Sequence, residues 1–176
     1  PGNSELKDEL AKVETEVLAR RARKESDSLI QQSEEAETAE EALKLAEKAV
    51  STDEKNAAAR VALGRARLAM ARSLRRAGKL DNAKTELNSA RDSLRTALSQ
   101  DGSNQMAYYL LAETLRELGR PLPEQKANYN RAYTCQQTSA IGLISNARLR
   151  EIEGREELAI KHYEEALRRK PLREGY

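Results

Sequence analysis

One feature constrains this chain more than any other. An apolar pattern of helical period runs nearly from end to end, beginning with Leu6, Leu10, Val13 and Val17. A chain patterned this way folds into helices that each bury one stripe. Composition agrees. Ala, Leu, Glu, Lys and Arg dominate, Trp and Phe are absent, and 6 Tyr supply all the aromatic surface. With 8 Gly and 4 Pro, the frequent turns of a many-stranded β protein are missing. No run of about 18 apolar residues spans a membrane. A single Cys excludes an internal disulfide framework and any cysteine-based zinc site within the chain.

Punctuation divides the pattern into eight helices. Ser4 reads as the N-cap of the first, which runs to about Gln32. The second runs from about Glu35 to Val50. Asp53 is expected to cap the third, which Gly78 ends. Asp81 is expected to cap the fourth, which ends near Ser99. The fifth ends at Gly119, and the sixth spans Pro123 to Gln136. Thr138 or Ser139 caps the seventh, Gly154 ends it, and the eighth stops at Arg169 before Pro171. Short loops join them, so the expectation is an all-α domain over 1–176. Its four antiparallel hairpins would lie at about 4–51, 54–100, 104–137 and 138–170.

Small residues reveal a repeat. Ala49 to Gly64, Ala97 to Ala112 and Ala132 to Ala147 are each 15 residues apart. Ala42 to Ala49, Gln125 to Ala132 and Ala159 to Ala166 are each 7 apart, and Ala147 to Ala159 is 12. Together these intervals make 34, the length of a helix-turn-helix repeat in which small residues let paired helices approach.

On these residues the chain resembles the tetratricopeptide repeat family. Tyr108, Leu111, Ala112, Leu115 and Gly119 match its first-helix signature. Gly154, Ala159, Tyr163, Ala166 and Pro171 match its turn and second helix. Gly64, Gly78, Ala83 and Leu87 carry the signature in the second hairpin, and the first hairpin keeps Ala42, Ala46 and Ala49. The resemblance covers about residues 36–171. Gln125 stands where alanine is usual, no repeat has the tryptophan, and Asn146 and Arg150 replace apolar residues. The implied fold is an α-solenoid.

The second hairpin departs from the ruler. Gly64 to Ala83 is 19 and Ala83 to Ala97 is 14, so each helix has gained seven residues. Seven residues are nearly two turns, and the buried face drifts by only about 20°. The hairpin should therefore project about 10 Å past its neighbours. The long first helix is expected to pack along this projection. Docking surface and extra core are the two readings of the projection.

Candidate chemistry is thin. His162 lacks a distinctive partner for acid–base work and reads as a surface residue. Cys135 has no activating basic neighbour and reads as a small buried side chain. Glycines are isolated at helix ends, so no phosphate-cradling loop exists. No enzyme activity, cofactor or metal is expected.

The resemblance implies a concave groove lined by the first helix of each hairpin. Carried over residue by residue, its lining is Val61, Arg65 and Leu68, then Met106, Tyr109, Glu113 and Arg116, then Ile141, Ile144 and Arg148. Apolar anchors beside charges suit a bound peptide or helix. Met106, Ile141 and Ile144 have an alternative reading as inter-repeat core. The clamp with which some family members hold chaperone tails would fall on Val61, Arg65, Leu110, Ile141 and Ser145, which lack its side chains. The expected function is a protein-interaction scaffold or adaptor. Self-association is the second reading.

Nucleic acid is the weaker third. Net charge is +2, but it divides unevenly. Residues 1–54 hold 15 acidic and 8 basic side chains, net −7; residues 55–176 hold 14 acidic and 23 basic, net +9. Arg72, Arg75, Arg76 and Lys79 fall at stripe spacing, and Arg168, Arg169, Lys170 and Arg173 form a second cluster. No aromatic residue precedes Tyr108, so stacking platforms are lacking beside the stripe. The stripe is expected to face nucleic acid poorly and the acidic first hairpin better. The chain starts at Pro1 rather than Met, which suggests a processed or partial chain. No polar helix follows the eighth, so Tyr163, Ala166 or Leu167 is expected to lie uncovered.

Overall fold

The computed structural model describes residues 2–169, with side chains from residue 5. Among the described residues there are eight helices and no strand: α1 (Gly2–Glu35), α2 (Ala39–Thr52), α3 (Ala57–Arg76), α4 (Leu80–Gln100), α5 (Gln105–Glu117), α6 (Leu122–Cys135), α7 (Ala140–Ile152) and α8 (Glu156–Arg169). The Lys170, Pro171 and Arg173 expectations lie outside the described residues, as does the Ser4 side chain. The Ser4 backbone lies inside α1.

Helix ends follow capping chemistry closely. α3, α5 and α7 all stop in the same motif. At Gly78, Gly119 and Gly154, φ is 74°, 65° and 72°. In each motif the glycine N–H and the following N–H return to carbonyls of the last turn, as Gly78 to Arg75 and Lys79 to Leu74 do at 3.0 and 2.9 Å. The starts correct two expectations. Asn56, not Asp53, caps α3, accepting from the Ala58 and Ala59 amides, while Asp53 ends α2. α4 starts at Leu80 without a side-chain cap, and Asp81 sits in its first turn. Ser139 caps α7 as expected.

The fold is an all-α solenoid. Each helix packs on the next in sequence, and the odd helices also touch one another: α1 with α3, α3 with α5, α5 with α7. Among the described residues the even helices do not meet. The odd-helix face is therefore the closed, concave one. The ruler positions explain the close packing. Ala49, Ala97, Ala112, Ala132 and Ala147 are fully buried. A Cβ on Gly64 would come within 2.5 Å of Leu94 Cγ, so α3 and α4 need that glycine.

α3 and α4 have 20 and 21 residues, against 13 or 14 in α2 and in α5 to α8. The second hairpin is thus longer by about two turns per helix. Its projecting part is packed, with Ala71, Ala83 and Leu87 buried.

α1 does not run along that projection. Ser26 Oγ donates to the Ala49 carbonyl and accepts from Asn56 Nδ2, both at 2.9 Å. Ser33 Oγ donates to the Ala42 carbonyl, and Glu34 pairs with Arg65. Residue 26 is thus level with the start of α3, and residue 34 with its middle. The first half of α1 leaves the body at the opposite end from the α3–α4 turn. Every side chain from 5 to 21 is exposed.

Candidate functional site: an arginine-lined concave cleft

Apolar groove candidates are mostly core. Val61, Leu68, Tyr109 and Ile144 are buried in the main apolar cluster, and Met106 and Ile141 pack half-buried against it. Val61, Leu68, Tyr109 and Ile144 leave at most 7% of their surface open. On a close-packed inner layer, the side chains between neighbouring odd helices are consumed by the neighbour. The α3 surface facing the concavity keeps Arg65 and continues toward the end of the helix. It carries Arg65, Ala69, Arg72 and Arg76, at i, i+4, i+7 and i+11.

Charged candidates do come together, around Glu113. Glu113 is 2% exposed, and four groups from four helices converge on its carboxylate. Tyr129 of α6 donates its hydroxyl at 2.6 Å. Arg116 of α5 lies at 2.7 Å, Arg148 of α7 at 3.2 Å and Arg72 of α3 at 3.6 Å. Burial acts to raise the Glu113 pKa. The Tyr129 hydroxyl, then Arg148 and Arg116, outweigh burial and hold it below the usual carboxylate value. The Tyr109 phenol, packed 6.4 Å from Tyr129 by ring centroid, is pushed up to about 12 by burial and then by Glu113.

Arg65 does not join this group. It pairs with Glu34 on the first hairpin. The basic stripe is likewise partly matched, but not by that hairpin. Arg72 and Arg75 reach Glu117 of α5 at 2.7 and 3.4 Å, while 39 and 46% of their side-chain surface stays exposed. Among the described residues Arg76 makes no ion pair.

Between the α1–α2 turn, α3 and the end of α5 lies an open cleft of about 860 Å³. It exists because α3 runs on past the short first hairpin. Ala62, Ala66 and Ala69 form its floor on α3. Five arginines line it (Arg65, Arg72, Arg75, Arg76 and Arg116) against three glutamates, Glu34, Glu37 and Glu117. Over these eight charged side chains the lining is net positive by two. Sequence reasoning placed Arg72 and Arg76 on a nucleic-acid stripe and missed Ala69, Glu117 and the Tyr129 role. Continuing the groove register two more turns along the lengthened α3 would have found Arg72 and Arg76.

Two other expectations change. Cys135 is exposed, not buried. His162 is half-buried, its Nε2 3.1 Å from Asn146 Nδ2, so a polar pair fills the apolar position of the last repeat. At the far end, Ala166 is buried and Tyr163 half-buried, its ring 5.8 Å from the Arg148 guanidinium, while Leu167 is exposed.

The architecture is similar to that of solved proteins. One is TTC0263, a thermophilic TPR protein of Thermus thermophilus, at TM-score 0.63 and 19% identity over 76% of this chain. The fold is the tetratricopeptide-repeat fold. This chain spans 66% of the length of the Thermus protein. MamA is similar at TM-score 0.56 and 19% identity, over 88% of this chain and 83% of its own. No family model matches the sequence, and no curated protein matches it. Within the tetratricopeptide fold, the 20-residue α3 gives the concave face its arginine ledge. Among the described residues no helix is long and apolar enough to cross a membrane.

Proposed function

We propose that the chain is a protein-interaction scaffold, a single unit of four hairpins at about 4–51, 54–100, 104–137 and 138–170. Its concave cleft holds a peptide or helix bearing acidic side chains. The observation that carries this is the cleft lining: five arginines against three glutamates over an alanine floor. Small floor residues let a helix approach closely, and guanidinium forks bind carboxylates with directional hydrogen bonds. Of the groove residues first considered, Arg65 and Arg116 contact the partner. Glu113 and Arg148 hold the arginines in place, and Val61, Leu68, Met106, Tyr109, Ile141 and Ile144 support the wall from inside.

The test is a fluorescence anisotropy titration with a labelled acidic amphipathic peptide and its charge-inverted counterpart. The chain carrying Leu10→Asp and Val17→Asp is used, which keeps its own exposed apolar stripe out of the assay. The acidic peptide should bind, and added salt should weaken it. Equal binding of both peptides, or of neither, contradicts the reading.

A further inference from the structure

The first half of α1 is an unpartnered surface. Leu6, Leu10, Val13 and Val17 are 66, 58, 56 and 40% exposed. Their spacing of 4, 3 and 4 is the seam that a helix presents to another helical surface. The side chains around the seam are acidic. From 5 to 18 there are Glu5, Asp8, Glu9, Glu14 and Glu16 against Lys7 and Lys12, net −3. The cleft is the converse, small and apolar at its floor and arginine-rich at its walls. Its volume of about 860 Å³ matches roughly two turns of a helix about 10 Å across.

These two surfaces cannot meet within one chain. The Ser26–Asn56 and Glu34–Arg65 contacts fix α1 parallel to α3. The overhang therefore leaves beyond the start of α3, while the cleft runs along α3 from Ala62 to Arg76.

We propose that the acidic overhang of α1 in one copy occupies the arginine-lined cleft of a second copy. This rests on reading the cleft as a groove for an acidic helix, and it names the occupant. The seam lies on the alanine floor, and Glu9, Glu14 and Glu16 meet Arg72, Arg76 and Arg116. The seam's flanks, with five acidic and two basic side chains between residues 5 and 18, then face a lining of five arginines and three glutamates. The contact is head to tail. The pair keeps one free overhang and one free cleft, so association continues with concentration instead of stopping at a two-fold dimer.

Solution mass by light scattering tests this on the full chain and two variants. The overhang variant carries Leu10→Asp and Val17→Asp; the cleft variant carries Ala69→Glu and Arg76→Glu. Wild type should grow in mass with concentration at low salt and shrink at high salt. Each variant alone should stay monomeric, its dissociation constant raised about tenfold or more. Mixed, the two should give a 1:1 dimer that grows no further, since only one intact pair of surfaces remains. Circular dichroism checks that both retain their helix, and Arg76→Glu alone replaces the cleft variant if it does not. A wild type of constant monomer mass overturns the proposal. So does a cleft variant that still dimerises while the overhang variant does not, the result of α1 pairing with α1. If wild type is monomeric but the overhang variant binds the acidic peptide, only this inference fails. If that peptide does not bind either, the groove reading fails with it.

Discussion

Two stretches of helix overshoot their neighbours in this molecule, and they end differently. The extension of α3 is met by an equal extension of α4, so Ala71, Ala83 and Leu87 are buried between them. Among the described residues, the overhang of α1, about 30 Å of helix, is met by nothing in its own chain, and Leu6, Leu10 and Val13 stay more than half exposed. A matched insertion of seven residues makes new core and leaves the hairpin intact. An unmatched one leaves its apolar stripe exposed. The same comparison explains the cleft, which opens where lengthened α3 passes the short first hairpin.

Substitutions can break this contrast, and the largest effect belongs to the paired extension. Leu87→Ala should cost about 3–4 kcal/mol, lost transfer energy plus a cavity, in a urea unfolding titration. Glu113→Gln should cost about 3 kcal/mol by the same measurement, because Arg72, Arg116 and Arg148 lose the buried charge that matches them. Its pH signature follows from the sign of the shift. The Glu113 pKa is lowered from 4.5, so its stabilisation is complete above that value and is lost as pH falls through the depressed one. The urea midpoint of wild type should drop on acidification below pH 4.5 by more than that of Glu113→Gln. Gly64→Ala should cost about 2 kcal/mol, read as a lowered thermal midpoint, since its Cβ meets the Leu94 side chain. Leu10→Ala should change monomer stability by less than about 0.5 kcal/mol, measured at high dilution. A large loss there would mean that the overhang is core after all.

How much the sequence disclosed depends on the range of the signal. Helix ends governed by local chemistry were legible, as at Gly78, Gly119, Gly154 and Ser139. The small-residue ruler disclosed the solenoid and the two-turn extension, because Gly64 and the buried alanines are fixed by helix–helix distance. Register between non-adjacent helices was not legible. Nothing local says that Ser26 bonds to Asn56, so α1 was expected along the wrong end. The groove was half legible. Arg116, Glu113 and Arg148 gather as carried over, but Val61, Leu68 and Ile144 turn into the layer between odd helices. Their exposure depends on the packing of the next repeat, which periodicity in one helix does not encode. Asn56 replaced Asp53 as a cap because its amide also reaches Ser26 and Asp27 on α1, both at 2.9 Å, a long-range gain no window of sequence contains.

The most direct measurement is amide hydrogen exchange of the full chain at two protein concentrations. At high dilution the amides of residues 5–21 should exchange rapidly, while those of the α3–α4 extension, around Ala71 and Leu87, stay protected. At high concentration and low salt, residues 5–18 and the cleft wall around Ala69 and Arg72 should gain protection together. Protection of the overhang that does not change with concentration would contradict the account, because the overhang would then have a partner within its own chain.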